Sequence, residues 1–402
     1  MKRVVITGLG VVSALGHDHH SFWDALCAGE SGISSISQVD CLQLRFNQGA
    51  EVKLYDSSQH FDERRVGYLA RFAQFALVAA REAVTDSGLT KNELSQFPTA
   101  VITGSCMGGK ITEDRGYYRL YGEGCQRSHP LIIPNAMANA GASQISYEFG
   151  ITGPTYTIST ACASSTHAIG QAFWLVRHGL VRQAIAGGSE APFSFGQLKA
   201  WEGMRIVSSD TCRPFSKHRR GLILGEGGAI LILEALDSAI ARGAKIYAEI
   251  KGFGMSSDAA HVTTPSSSGQ QLAIHSALND ANLPAHAIEY MNAHGTGTVV
   301  NDKVEAETLH SIFGTQLDKL WVNSTKAAHG HLLGATGAIE AVATALAIKH
   351  QTIPPTLHFV EKDLACDLPL VINIAKKTSI EYALSNSFAF GGLNGILALG
   401  VY

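Results

Sequence analysis

Three side chains in this sequence could act together on a carbonyl group. Cys162 lies in Thr160-Ala161-Cys162-Ala163-Ser164, and His294 in Asn292-Ala293-His294-Gly295-Thr296-Gly297-Thr298. His331 lies in Ser324-Thr325-Lys326-Ala327-Ala328-His329-Gly330-His331-Leu332-Leu333-Gly334-Ala335. Each follows an apolar, strand-like run. A helix-like run follows Cys162, so its thiol falls at a strand-to-helix turn. The turn would expose it, and the positive end of the helix would lower its pKa toward thiolate. Small residues flank both histidines and let a substrate approach. An imidazole can donate a neutral hydrogen bond or carry a proton near pH 7. A nucleophilic sulfur with two imidazoles suits carbon–carbon bond formation on thioesters. Taken singly, each of the three also fits a packed core position. Zinc fits less well: no ligand has a second at the usual spacing, and His329 and His331 are only two apart. The expectation is that no metal is bound.

The elements that would hold these residues alternate between strand and helix character, which argues for an α/β class. Phe72–Ala83, Ser165–Arg177 and Gly337–Ile348 read as helices that are apolar on nearly every face. Such helices are buried between layers, so a helix layer is expected in the middle of the molecule. The chain also echoes itself in order. The run from Arg3 pairs with that from Tyr247, Ala100 with Glu289, Tyr156 with Trp321, and Arg182 with Glu381. This predicts a duplication with two stacked sheets, one half spanning 1–244 and carrying the cysteine, the other spanning 245–402 and carrying both histidines. No Pro- or Ser-rich linker separates them, so they should share one core.

Composition narrows the function. With 402 residues, 46% of them hydrophobic, the chain can bury a large core. A net charge of −3 calls for neither nucleic acid nor a membrane surface. Seven scattered cysteines without a C-x-x-C suggest free thiols in a reducing cytoplasm. No signal peptide precedes the first strand-like run. The longest apolar candidate, Ala335–Ile348, is too short to span a membrane and carries Glu340.

The segments TACASS, NAHGTGT, STKAAHGHLLGATGA and NSFAFGGLN resemble the signatures of β-ketoacyl-acyl-carrier-protein synthases, and the likeness runs from Val4 to Leu399. The resemblance implies a thiolase-like fold with duplicated halves in five α-β-α-β-α layers. It implies that Cys162 accepts an acyl chain from acyl carrier protein, with an oxyanion hole formed by the amides of Cys162 and Phe390. His294 and His331 would hold the malonyl thioester oxygen during decarboxylation, while Lys326 and Glu305 form an ion pair that orients His331. Thr296 and Thr298 match positions that bind the phosphopantetheine arm, and Asp258, His261 and Thr263 a loop near the malonyl site. Met107, Trp201 and Phe390 match the acyl pocket. Arg64, Arg65 and Arg127 fall where the family docks its carrier protein, and Lys217-His218-Arg219-Arg220 is the strongest basic run. No cofactor is implied beyond the carrier-borne phosphopantetheine. The partner is a second copy or a ketosynthase-like chain-length factor.

Several residues depart from the housekeeping elongation enzymes: Ala389 and Leu393 in the late turn, Gly297 between the threonines, and Ser216 and Arg220 in place of aspartates. The Leu198–Ser216 stretch and the His-Gly-Thr-Gly-Thr segment look like specialised ketosynthases of nodulation-signal and aryl-polyene pathways. Housekeeping elongation and a non-catalytic scaffold are the alternatives, and the scaffold fits poorly with an intact Cys162. A thiolase would need a second late cysteine. Gly8-Leu-Gly10-Val-Val-Ser13 is too short a glycine motif to mark a dinucleotide site.

Overall fold

The computed structural model describes all 402 residues, Met1–Tyr402. Its first half contains strands β1 (Val4–Val12), β2 (Thr99–Gly104), β3 (Thr155–Ile158), β4 (Gln183–Glu190) and β5 (Gly227–Ala235). The second contains β6 (Ala248–Ser257), β7 (Tyr290–Asn292), β8 (Trp321–Asn323), β9 (Tyr382–Ala389) and β10 (Leu393–Gly400). The spatial order is β8-β7-β9-β10-β6-β1-β5-β4-β2-β3. Counted within each half, both read third, second, fourth, fifth, first. Pairing direction repeats as well: β1 with β5 and β5 with β4 are antiparallel, and β4 with β2 and β2 with β3 are parallel. The second half has the same pattern. All four sequence echoes fall on equivalent strands.

Six helices complete the layers. Helices α1 (Arg71–Ser87) and α2 (Ala140–Phe149) cover the outer face of the first sheet. Helices α3 (Ser164–Arg177) and α6 (Thr336–His350) pack against each other between the sheets, and α4 (Ser267–Ala281) and α5 (Val299–Phe313) cover the other outer face. The result is the five-layered arrangement. Every residue of α6 from Thr336 to Ile348 is buried, as its sequence, apolar on nearly every face, requires. The largest core surrounds this central pair, with Phe173, Phe253, Ile339 and Leu397 among its members.

Two expectations need correction. The sheets are not separate, because β1 and β6 pair antiparallel through Val4–Ile250, Val5–Glu249 and Ile6–Ala248. The first strand of each half sits at a sheet edge, and joining the two edges satisfies backbone groups that would otherwise be buried without partners. Helix α1 is nearly all buried but lies in an outer layer, where Val52, Phe61 and Leu69 cover it. It also explains the early glycines. Both lie inside β1, and a Cβ on Gly10 would sit 1.9 Å from the carbonyl oxygen of Ala79 in α1. They permit close helix–strand packing rather than phosphate binding.

Candidate active site

Cys162 sits two residues before α3, after a turn in which Ala161 adopts φ +48°. That conformation is strained for alanine and aims the next side chain out of the strand direction. Ala163 precedes the helix and offers no side-chain cap, and the amides of Ala163 and Ser164 turn back to the carbonyl oxygens of Thr160 and Ala161. The amides of Cys162 and Phe390 both donate toward the thiol sulfur. His294 lies two residues after β7. His331 does not end a strand as expected: the four-residue helix Lys326–His329 intervenes, and His331 instead bridges to Leu224.

The three side chains converge. The sulfur of Cys162 and a ring nitrogen from each of His294 and His331 all lie within 4.8 Å of one another, and all three residues are buried. The two imidazoles meet edge to face with centroids 5.5 Å apart. Leu333 donates its amide to His331 Nδ1 at 3.0 Å, and Thr336 Oγ1 lies 2.9 Å from the same nitrogen. Nδ1 therefore accepts, and the ring proton sits on Nε2. Burial, reinforced by the Lys326 cation, pushes both histidines well below the ordinary imidazole range, so both are neutral at pH 7. The set could offer three ligands to a soft metal ion, and it could equally offer two N–H donors beside a nucleophile.

The thiol reverses its expectation. Burial pushes Cys162 up to about 11, although Lys326 and the two amides pull the other way. Desolvation outweighs the helix end because the sulfur lies beneath the surface rather than at an exposed turn.

The supporting ion pair also differs. Lys326 Nζ pairs with Glu340 Oε1 at 2.5 Å and donates to the carbonyl oxygen of His294, with both side chains essentially inaccessible. Glu305 makes no ion pair. It accepts the amides of His294 and Gly295, each at 2.8 Å, and the side-chain amide of Asn386 at 3.3 Å. Lys326 and Glu305 thus hold the His294 loop from two sides, whereas Thr336 and Leu333 orient His331. Sequence reasoning missed Glu340, and the signal was its lone acidic side chain in an otherwise apolar helix. Glu190 was missed as well. Its carboxylate is fully buried, pushed up to about 7 by burial, and accepts from Ser105 and the amides of Cys106, Met107 and Gly334. It joins the Met107 loop to the loop after His331.

A cavity of about 380 Å³ leads from Cys162, His294 and His331 past Thr296, Thr298 and Phe390 to the surface. Trp201, His261 and Thr263 also line it. Thr296 and Thr298 approach each other at 2.9 Å. Asp258 does not reach the cavity: it accepts from Ser266 and Asn394, and its own amide donates to Gly392. It fastens the late turn to Ser266, just before α4. Met107 does not line the cavity and, like Trp201, packs against the core cluster that holds Phe193 and Leu198. Ala389 does not adopt a positive φ, whereas Gly391 and Gly392 do, so alanine stiffens that turn without strain.

The basic residues separate. Arg65 pairs with Glu148 at 2.6 Å, and Arg64 is exposed. Arg127 lines a different cavity of about 520 Å³, together with Arg71, Arg115 and Arg119. The two cavities share no lining residue.

Comparison with known proteins agrees with this geometry. The model of the β-ketoacyl synthase N-terminal domain matches residues 1–239, and that of its C-terminal domain residues 247–360. Nodulation protein E of Rhizobium sp. (strain N33) is 40% identical over 397 residues, 99% of this chain and 98% of that protein. The 3-oxoacyl-[acyl-carrier-protein] synthase 2 of Staphylococcus aureus (strain COL) is 40% identical over 403 residues, 98% of this chain and 97% of that protein. Among solved structures, the ishigamide ketosynthase/chain length factor superposes with a TM-score of 0.96 at 34% identity, covering 100% of this chain and 99% of that one. No helix is long and apolar enough to cross a membrane.

Proposed function

The chain belongs to the β-ketoacyl synthase family of condensing enzymes, acyltransferases of fatty acid and polyketide synthesis, and from that premise we propose how its residues carry out the reaction. Cys162 attacks an acyl thioester borne on the phosphopantetheine arm of acyl carrier protein. Its proton passes to the departing pantetheine thiol, and the amides of Cys162 and Phe390 hold the tetrahedral oxyanion. The malonyl thioester of a second carrier protein then enters. His294 and His331 donate to its thioester oxygen while carbon dioxide leaves and enolate charge builds there. The resulting carbanion attacks the acyl carbonyl and expels the Cys162 sulfur, leaving a β-ketoacyl thioester two carbons longer. Neutral imidazoles suit this step because each donates its ring N–H without first having to gain a proton. No metal or free cofactor takes part.

The observation that carries this reading is the convergence of one sulfur and two imidazole nitrogens within 4.8 Å at the inner end of the cavity. The departures at Ala389, Leu393, Gly297, Ser216 and Arg220 support a specialised conjugated-acyl or polyene pathway over housekeeping elongation. The enzyme works as a dimer, with itself or with a ketosynthase-like chain-length factor. Seven free cysteines suit the cytoplasm. The test is intact-mass spectrometry of the protein with a panel of acyl-carrier proteins, followed by malonyl-carrier protein. The wild type gains one acyl group and releases a β-keto product, and Cys162→Ala gains none. Acylation of Cys162→Ala to the same extent would remove Cys162 from the mechanism, and the donors accepted separate saturated from polyene chains.

A further inference from the structure

The basic run Lys217–Arg220 does not act as one patch. Lys217 and His218 both pair with Glu361, and Arg219 is buried against Asp363 at 2.5 Å. Arg220 is exposed and, unlike the other three, makes no ion pair. Its side chain lines the cavity that ends at Cys162. Arg205 lines it too, exposed and unpaired at the left-handed end of the Phe195–Met204 helix. No aspartate or glutamate lines this cavity. Burial orders its wall from inside to outside. Cys162, His294 and His331 are buried, Thr296 is buried, Thr298 is half-buried, and the two arginines are exposed. A thioester would lie at the inner end and two uncompensated guanidiniums at the outer one.

We propose that Arg220, with Arg205, forms an anion-binding subsite at the cavity entrance that takes the phosphate group of phosphopantetheine-borne thioesters. This rests on the condensing-enzyme reading above. The planar guanidinium suits bidentate contact with a phosphate. A thioester threaded to Cys162 leaves its phosphate at the far end of the pantetheine arm, on the solvent side. That phosphate occurs on carrier proteins and on coenzyme A alike, so the subsite reads the group rather than the carrier.

The experiment compares four donors of one acyl group: acyl-pantetheine, acyl-phosphopantetheine, acyl-coenzyme A and acyl-carrier protein. The readout is kcat/KM for acylation of Cys162 in the wild type, Arg220→Gln, Arg220→Lys and Arg205→Gln. In the wild type, acyl-phosphopantetheine exceeds acyl-pantetheine by about tenfold, the order expected of a charge-assisted contact. That ratio falls toward one in Arg220→Gln, recovers in part in Arg220→Lys, and shrinks with added salt. Acyl-coenzyme A and acyl-carrier protein show the same dependence on Arg220. An unchanged donor ratio in Arg220→Gln overturns the proposal, as does an equal loss with both small donors. Dependence on Arg220 with acyl-carrier protein alone also overturns it and assigns the arginine to acidic side chains of the carrier. Acyl-pantetheine that acylates the wild type without preference for phosphate refutes the subsite but leaves the condensing reading standing. Failure of every donor to acylate the wild type overturns both.

Discussion

At the scale of single residues, the site is organised by burial more than by charge. A thiol pushed up to about 11 is protonated at neutral pH, and only its thiolate reacts with alkylating agents. Raising the pH through the folded pKa should therefore increase reactivity. Iodoacetamide labelling of Cys162, followed by peptide mass mapping, should keep rising between pH 9 and pH 10, where a free thiol with a pKa near ~8.5 is levelling off. A plateau below pH 8 would mean that the helix end dominates after all. The buried Lys326–Glu340 pair gives a second prediction. Lys326→Met strands a carboxylate in the core and should cost about 3–5 kcal/mol in chemical denaturation. The double variant Lys326→Met with Glu340→Leu should recover much of that stability without recovering condensation, because the donor to the His294 carbonyl is still missing. Full recovery of activity would show that Lys326 serves packing alone. The sequence marked Cys162, His294, His331 and Lys326 because their neighbours are unusual. It did not reveal which carboxylate meets Lys326, since Glu305 and Glu340 are both buried and only their distances separate them.

At the scale of elements, the nucleophile and its supports meet where α3 and α6 touch. A Cβ on Gly337 would stand 1.9 Å from Thr166 Oγ1 and 2.9 Å from the Thr166 amide, four residues after Cys162. Thr166 in turn lies 2.6 Å from Ser387 Oγ in β9, the strand leading to the Phe390 turn. Gly337→Ala should thus cost about 1–3 kcal/mol by overpacking and also slow acylation of Cys162, as read by denaturation and intact mass together. Loss of stability with an unchanged acylation rate would show that the helix contact does not position the sulfur. Much of this level was readable in advance. The four echoes follow the strand order, and the buried helices show in Ala- and Ile-rich runs without a polar face. The β1–β6 seam was not readable, because only three residue pairs form it and apolar residues such as Val4, Ile6 and Ile250 would fit a seam or a buried strand equally well. The reach of Glu190 was hidden for a similar reason: its acceptors come from Ser105–Met107 and Gly334, far apart in sequence.

At the scale of the whole molecule, the ten-stranded sheet has two edges that are treated differently. Beside β8, the segment 369–371 covers the edge: Val322 donates to Pro369 and accepts from Val371. Beside β3, no strand covers Thr155–Ile158, which ends the sheet with Tyr156 exposed. Tyr117, Tyr118, Tyr121, Ile133 and Tyr147 are exposed in the same half of the chain. An open edge invites pairing, and a second copy of β3 approaching about a twofold axis would pair with it antiparallel and extend the sheet through both subunits. Thr157→Pro removes a backbone donor from this edge and cannot join a ladder. In light scattering after gel filtration, the wild type should run as a dimer and Thr157→Pro should shift toward monomer. Its circular dichroism should stay near the wild-type spectrum, because β3 has a partner only on the β2 side. A Thr157→Pro variant that remains fully dimeric would place the interface elsewhere. A wild type that is monomeric until a ketosynthase-like subunit is added would show that β3 awaits a related chain rather than its own copy.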